Sequence, residues 1–399
     1  MNLSDPVAAL EIGTTRTAIA IAEPLGPGRI NIVAKGDIPS SGVRKSQITD
    51  IGKASVSVTS VLKYLEDQFN YSIGRAALVV SGPQIHTGEQ ITQWPVEKTV
   101  TDSDLEEIYN RSCDTVLDED RVMIDVSELG YGLDGLDGIS SPKGMSGKLL
   151  KLRTLMIHGS KARVDDARTA AANAKLEISE PYFAGRCAAE AVLTPEDKAA
   201  GTLVIDLGGG STSFAAFAEG RLISAGVIGV GGDHVTNDIK LAFSLSHAQA
   251  GAVKRSASAV FSPDRTGRVE VPSSLTSGDG ATISMRALDT VVNARIGELL
   301  SIVRERLDTD GVLHRLSGGV VLTGGGARLT NITTLARSIF GGHVRTGTLI
   351  PGIEGLEKDP FPALYATIAG ALLLEQRNSG EQSLFDPITN LWKKFFKGQ

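Results

Sequence analysis

Two carboxylates, Glu11 and Asp206, each close a short aliphatic run and stand just before a stretch of glycine and hydroxyl residues. After Glu11 come Gly13, Thr14, Thr15 and Arg16; after Asp206 come Gly208, Gly209, Gly210, Ser211 and Thr212. Glycines let backbone N–H groups approach phosphate oxygens, and neighbouring hydroxyls add further donors. A carboxylate at the strand end is placed to hold Mg²⁺ through water, because that ion keeps much of its hydration shell. A third glycine turn, Gly324, Gly325 and Gly326, follows the aliphatic run 319–323 and lets the backbone pass close to an adenine or ribose. Any one such turn is commonplace. Three in order, each after an apolar strand and two of them repeats of one pattern, point to a nucleotide held between two related halves.

The elements that must position these turns are legible as periodicity. Aliphatic runs at 7–12, 18–22, 76–81, 202–207 and 319–323 read as strands. Ile51, Ala54, Val58, Val61, Leu62, Leu65 and Phe69 recur at helical spacing; 161–175 and 285–307 read as further helices. Strands and helices mixed over this length indicate an α/β protein. Two regions interrupt the pattern. Residues 82–158 carry an acidic run, a glycine-rich run and a basic strand (148–153) expected to face solvent; residues 240–283 are polar, with a Ser/Gly-rich stretch at 272–280. Both read as insertions, and the polar segment 375–383 reads as a linker.

Composition narrows the class. The chain has 399 residues, 40 Lys+Arg against 46 Asp+Glu, and a net charge of −6, which argues against a broad nucleic-acid surface. Its 45 glycines are about 11% of the chain against a usual ~7%. Cys113 and Cys187 cannot make a disulfide framework and suit a reducing compartment. The six histidines lack metal-ligand spacing. No secretory signal is visible at the start, and no stretch reaches the ~18–20 apolar residues that cross a bilayer.

The tail is the second informative segment. Asp386 followed by Pro387 gives an N-cap and a first-turn proline. At helical spacing Leu384, Phe385, Ile388, Leu391, Trp392, Phe395 and Phe396 fill one arc of about 140°, with Lys393, Lys394 and Lys397 on the other side. Residues 387–397 would span only about 16 Å, half a bilayer core, so the helix is expected to lie in the interface. Its lysines would contribute about 3 kcal/mol near anionic lipid.

The three turns, with Gly231 and Gly232 before Thr236, Asp238 and Ile239, resemble the phosphate and adenosine motifs of the actin, sugar-kinase and heat-shock ATPase superfamily. More narrowly, the residues from 7 to 397 resemble the FtsA family of bacterial cell-division proteins. The resemblance implies an actin-like fold of two related halves with inserted subdomains 1C and 2B. Its implied boundaries are 1–80, 160–199 and 347–375 for 1A, 81–159 for 1C, 200–240 and 284–346 for 2A, and 241–283 for 2B. A linker at 376–383 and a membrane-targeting amphipathic helix at 384–399 complete it. It implies ATP and Mg²⁺ as cofactors, with Gly232 and Lys254 joining the turns. Implied partners are the C-terminal peptide of FtsZ through 2B, later division proteins through 1C, other copies of the chain in a filament, and an anionic membrane surface on its cytoplasmic face. Two departures weaken fast hydrolysis. Gly251 stands where relatives in the superfamily carry a Glu paired with the Lys, and Ala184 falls where a water-orienting Gln or Glu is expected. That leaves Glu190 as a weak catalytic candidate, otherwise a solvated residue. The rival readings are a small-molecule kinase or phosphatase of the same superfamily, for which no general base is evident, and a pilus or cell-shape scaffold.

Overall fold

The computed structural model describes residues 5–272 and 281–379. Two mixed sheets form the centre, and they share one strand order. In the first half the order is Arg29–Pro39, Arg16–Gly26, Val7–Ile12, Arg75–Val80, Glu177–Phe183; in the second it is Arg221–Ile228, Thr212–Ala218, Thr202–Leu207, Gly319–Thr323, Val344–Thr346. In both, the central strand pairs antiparallel with the strand that follows it and parallel with the one on its other side. The duplication seen in two short motifs therefore extends through the topology. Short strand Ile353–Glu354 adds to the outer edge of the first sheet.

Local chemistry accounts for the flanking helices. Ile51–Phe69 opens where the Asp50 side chain accepts from the Lys53 amide and closes at Asn70 in the left-handed region; Ala54, Val58, Val61 and Leu65 put one face into the core. Helix Ala184–Val192 has eight of nine residues buried, as befits a connector wedged between the halves. The last helix, Ala366–Ser379, packs on it and on strand Val7–Ile12. One apolar core, around Leu10, Ile19 and Leu78, continues from the first half onto Val204, Ala215 and Val321 of the second, and another, around Ile205, Leu300 and Leu322, lies within the second half.

The insertion at 82–158 is a four-stranded antiparallel sheet under helix Asp102–Cys113, with a separate core built on Ile108, Leu150 and Leu152. The basic run 148–153 is not simply a solvent-facing strand. It begins strand Leu149–Ser160, which is paired on both sides, so Leu150 and Leu152 point to the buried face while Arg153 is exposed. The second insertion holds helix His247–Lys254 and a two-stranded ribbon, Arg268–Glu270 with Thr282–Ser284.

The polar run from Glu375, read as a linker, begins as helix. Its side chains are docked: Gln376 Nε2 donates to the carbonyls of Gly26 and Arg29, and Arg377 reaches Glu190. Polarity here reflects buried polar partners, not solvent. The residues read as the amphipathic tail, Leu384 to Lys397, lie outside the described residues. Among the described residues no helix is long and apolar enough to cross a membrane.

Candidate functional site

A cavity of about 390 Å³ opens between the halves, at the ends of the two central strands. The first half contributes Glu11, Gly13, Thr14, Thr15 and Arg16, and the second contributes Asp206, Gly208 and Gly209. Gly324, Gly325 and Gly326 line it from the third turn, and Gly232 and Lys254 from the helices beside the second half. The turns are tight for stated reasons. The Gly13 amide donates to the Arg16 carbonyl at 2.9 Å, closing the first hairpin. Gly324 has φ near 77°, and a Cβ there would sit 2.6 Å from Asp206 Oδ1 and 2.8 Å from the Leu207 carbonyl. Only glycine fits between the third turn and the second carboxylate.

Charge in the cleft is incompletely matched. Glu11 Oε2 accepts from Thr367 Oγ1 at 3.2 Å and lies 3.5 Å from Arg16 Nη2, while Asp206 Oδ1 accepts from Thr323 Oγ1 at 3.2 Å. Burial, with the Glu11 charge adding to it, pushes the Asp206 carboxyl up to about 7. Arg16 rests over the Tyr365 ring at 4.6 Å and donates from Nη2 to the Leu364 carbonyl at 2.7 Å. Its Nη1 is buried and has no hydrogen-bond partner within the protein. Lys254 Nζ donates to the Gly232 carbonyl at 2.9 Å and to Thr236 Oγ1 at 2.8 Å. Burial lowers its pKa and Asp233 opposes the shift. With Gly251 offering no side chain, the direct side-chain partner of Lys254 is the neutral Thr236, and Asp233 acts on it through space.

Other candidates are placed elsewhere. Gly210, Ser211 and Thr212 do not line the cavity: Ser211 Oγ is 2.8 Å from Ser46 Oγ, and the fully buried Thr212 donates to the Val230 carbonyl at 2.9 Å. Ala184 is buried at the head of the connecting helix and offers no polar atom. Glu190 is neither solvated nor in the cleft, which corrects both readings of it. It is 3% exposed, with Lys198 Nζ at 2.8 Å, Arg377 Nη1 at 3.0 Å and Arg186 Nε at 3.9 Å. Burial would raise its pKa, but Lys198, Arg377 and Arg186 outweigh that and hold it at about 2. Such a carboxylate stays ionised and enclosed, and it takes no part in acid–base chemistry at the cleft.

Sequence reasoning missed the cleft residues Arg255, Ile296, Arg328, Leu329, Leu364 and Thr367. Arg328 and Leu329 lie within the run 319–332 that resembles the family but carry no motif chemistry of their own; the others belong to no motif. Helical spacing assigns Ile296 to a core face, and Thr367 meets Glu11 only because the last helix returns to the first half. Among the described residues no group of three or more His, Cys, Asp or Glu side chains gathers to cage a metal.

Comparison with known proteins agrees with this architecture. The family model described as cell division protein FtsA matches residues 203–370, and that of the SHS2 domain inserted in FTSA matches 82–158. The chain is 29% identical over 378 residues to cell division protein FtsA of Escherichia coli (strain K12), covering 92% of this chain and 89% of the relative. It is 28% identical over 386 residues to the protein of that name from Bacillus subtilis (strain 168), covering 95% and 85%. Among solved structures, the PilM-PilN type IV pilus biogenesis complex superposes with a TM-score of 0.63 at 15% identity, over 92% of this chain and 98% of that one. MreB5 of Spiroplasma citri bound to ADP does so with a TM-score of 0.54 at 14% identity, over 94% and 98%. These two similarities establish the actin-like fold.

Proposed function

The chain belongs to the FtsA family of cell-division proteins, and from that premise we propose that it binds ATP in the cleft, polymerises on the cytoplasmic face of the membrane and tethers FtsZ at the division septum. The observation that carries the nucleotide part is the convergence of three glycine turns and two carboxylates on one 390 Å³ cavity between related halves. Its size suits a nucleotide-sized ligand. The donor set suits Mg²⁺: Glu11 and Asp206 offer hard oxygens, and two carboxylates without a full protein cage favour an ion that keeps its water. Bound there, Mg²⁺ would neutralise phosphate charge beside two like-charged carboxylates. Arg16 lines the cavity and brings a positive charge beside it, and Lys254 holds the start of helix Gly232–Phe243 against the cleft.

The membrane part rests on the amphipathic pattern of the tail. One short helix binds reversibly; a filament presenting many would bind by avidity, each further helix attaching at high effective concentration. The test is a liposome-pelleting assay with ATP and Mg²⁺, with and without the FtsZ C-terminal peptide. The full chain should pellet with anionic vesicles and recruit the peptide, and a chain lacking residues 384–399 should stay in the supernatant. Rapid ATP consumption with a sugar and no vesicle binding would overturn the proposal in favour of a small-molecule kinase.

A further inference from the structure

Behind the cleft a small hairpin reaches from the first half across to the second. Strands Val43–Arg44 and Gln47–Ile48 are joined by Lys45 and Ser46, with φ of 49° and 57°. Two consecutive non-glycine residues in the left-handed region are uncommon, and such conformations persist where the surroundings over-determine them. The surroundings here are a chain of hydroxyls. The Ser46 amide donates to Thr14 Oγ1 at 2.7 Å, and Ser46 Oγ lies 2.8 Å from Ser211 Oγ. Ser211 Oγ is 3.1 Å from Ser81 Oγ, which is 2.8 Å from Ser213 Oγ. Thr14, Ser46 and Ser81 belong to the first half, Ser211 and Ser213 to the second. Contact is close enough that a Cβ on Gly210 would meet Lys45 Cα and the Ser46 amide nitrogen at 2.8 Å, and one on Gly209 would collide with Thr15. A second cavity, of about 40 Å³, is lined by Ser46, Ser81 and Gln84.

Of these hydroxyls only Thr14 also lines the cleft. We propose that the hairpin 43–48 is a latch between the halves, fastened through Ser46 and Ser211 and tightened when Thr14 donates its proton to the terminal phosphate of a bound nucleotide. Each hydroxyl carries one proton, so a phosphate acceptor at one end fixes the direction of every donation behind it. With its hydrogen directed at the phosphate, Thr14 Oγ1 is left to accept, from the Ser46 amide and from Ser46 Oγ at 3.4 Å; Ser46 Oγ then accepts from Ser211, and Ser211 from Ser81. Bonds ordered in one sense reinforce one another. A diphosphate that does not reach Thr14 leaves the chain unordered. The inference rests on the nucleotide reading of the cleft and adds the residues that tell a triphosphate from a diphosphate.

Hydrogen–deuterium exchange on the full chain, resolved to single amides, tests it with Mg²⁺ plus ADP or Mg²⁺ plus a non-hydrolysable ATP analogue. The Ser46 amide should exchange about fivefold more slowly with the triphosphate than with the diphosphate. Ser46→Ala removes the link to Ser211 and should lower the triphosphate-to-diphosphate affinity ratio about fivefold, with diphosphate affinity unchanged. Equal protection of Ser46 by both nucleotides, with both protecting the turns at 208–210 and 324–326, overturns the latch and leaves the nucleotide reading intact. Protection of neither turn overturns the nucleotide reading and the latch with it.

Discussion

Glu190 and the pair Glu11 with Asp206 are all acidic groups withdrawn into the middle of the molecule, yet they are opposite kinds of site. Around Glu190 three cations converge: Arg186 continues to Asp125 of the insertion with two contacts of 3.0 Å, Lys198 comes from the short helix Pro195–Ala200, and Arg377 comes from the last helix. Around Glu11 and Asp206 the charges are alike, their hydrogen-bond donors are threonine hydroxyls and one distant guanidinium, and the space between them is a cavity. Buried charge that is fully paired holds parts of the fold in register. Buried charge left facing a void of the right size is arranged for a ligand that brings the missing countercharge.

The largest effect is expected at Glu190. Glu190→Ala leaves Lys198, Arg377 and Arg186 without their shared countercharge and should cost about 3–5 kcal/mol in urea unfolding. A cost below about 1 kcal/mol would mean that solvent reaches the cluster. Acid sharpens the same point. The Glu190 carboxyl is held at about 2 against an ordinary 4.5, so its stabilisation is complete above pH 4.5 and disappears as pH falls towards 2. Its share of that loss is about 3 kcal/mol, and Glu190→Gln should show a correspondingly flatter acid limb in pH-dependent denaturation.

The cleft should respond differently. Gly324→Ala forces a Cβ against Asp206 and the Leu207 carbonyl at a positive φ, at a cost of about 1–3 kcal/mol, and should abolish ATP binding in calorimetric titration. Asp206→Asn relieves like charge and keeps an oxygen to accept from Thr323, so unfolding stability should stay within about 1 kcal/mol of the parent. The same variant should lose Mg²⁺-dependent ATP affinity by tenfold or more. A variant that lost stability and kept ATP affinity would reverse the assignment of the two sites.

Much of this was legible in the chain. Strand–carboxylate–glycine patterns mark both phosphate-type turns because close backbone approach requires small residues, and that requirement is written in residue type. The insertion at 82–158 was visible as a change of composition. Glu190 was misread because one acidic residue in an alanine-rich helix looks the same whether it meets water or three cations, one of them Arg377 from the last helix and another Lys198 from the next helix along the chain. The polar start of the segment after Glu375 failed for the same reason: polarity does not distinguish exposure from a buried hydrogen-bonded dock.

The sequence by itself determined the duplicated turns, their order, the carboxylates at the strand ends and the amphipathic pattern of the tail, since each depends on residues close along the chain. Tertiary structure alone decided which hydroxyls face the cleft and which fasten one half to the other. It also decided that Thr367 serves Glu11, and that one buried acid meets three cations while two others line a cavity. The Ser46–Ser211 and Thr367–Glu11 contacts join residues 165 and 356 positions apart, and no local spacing records them.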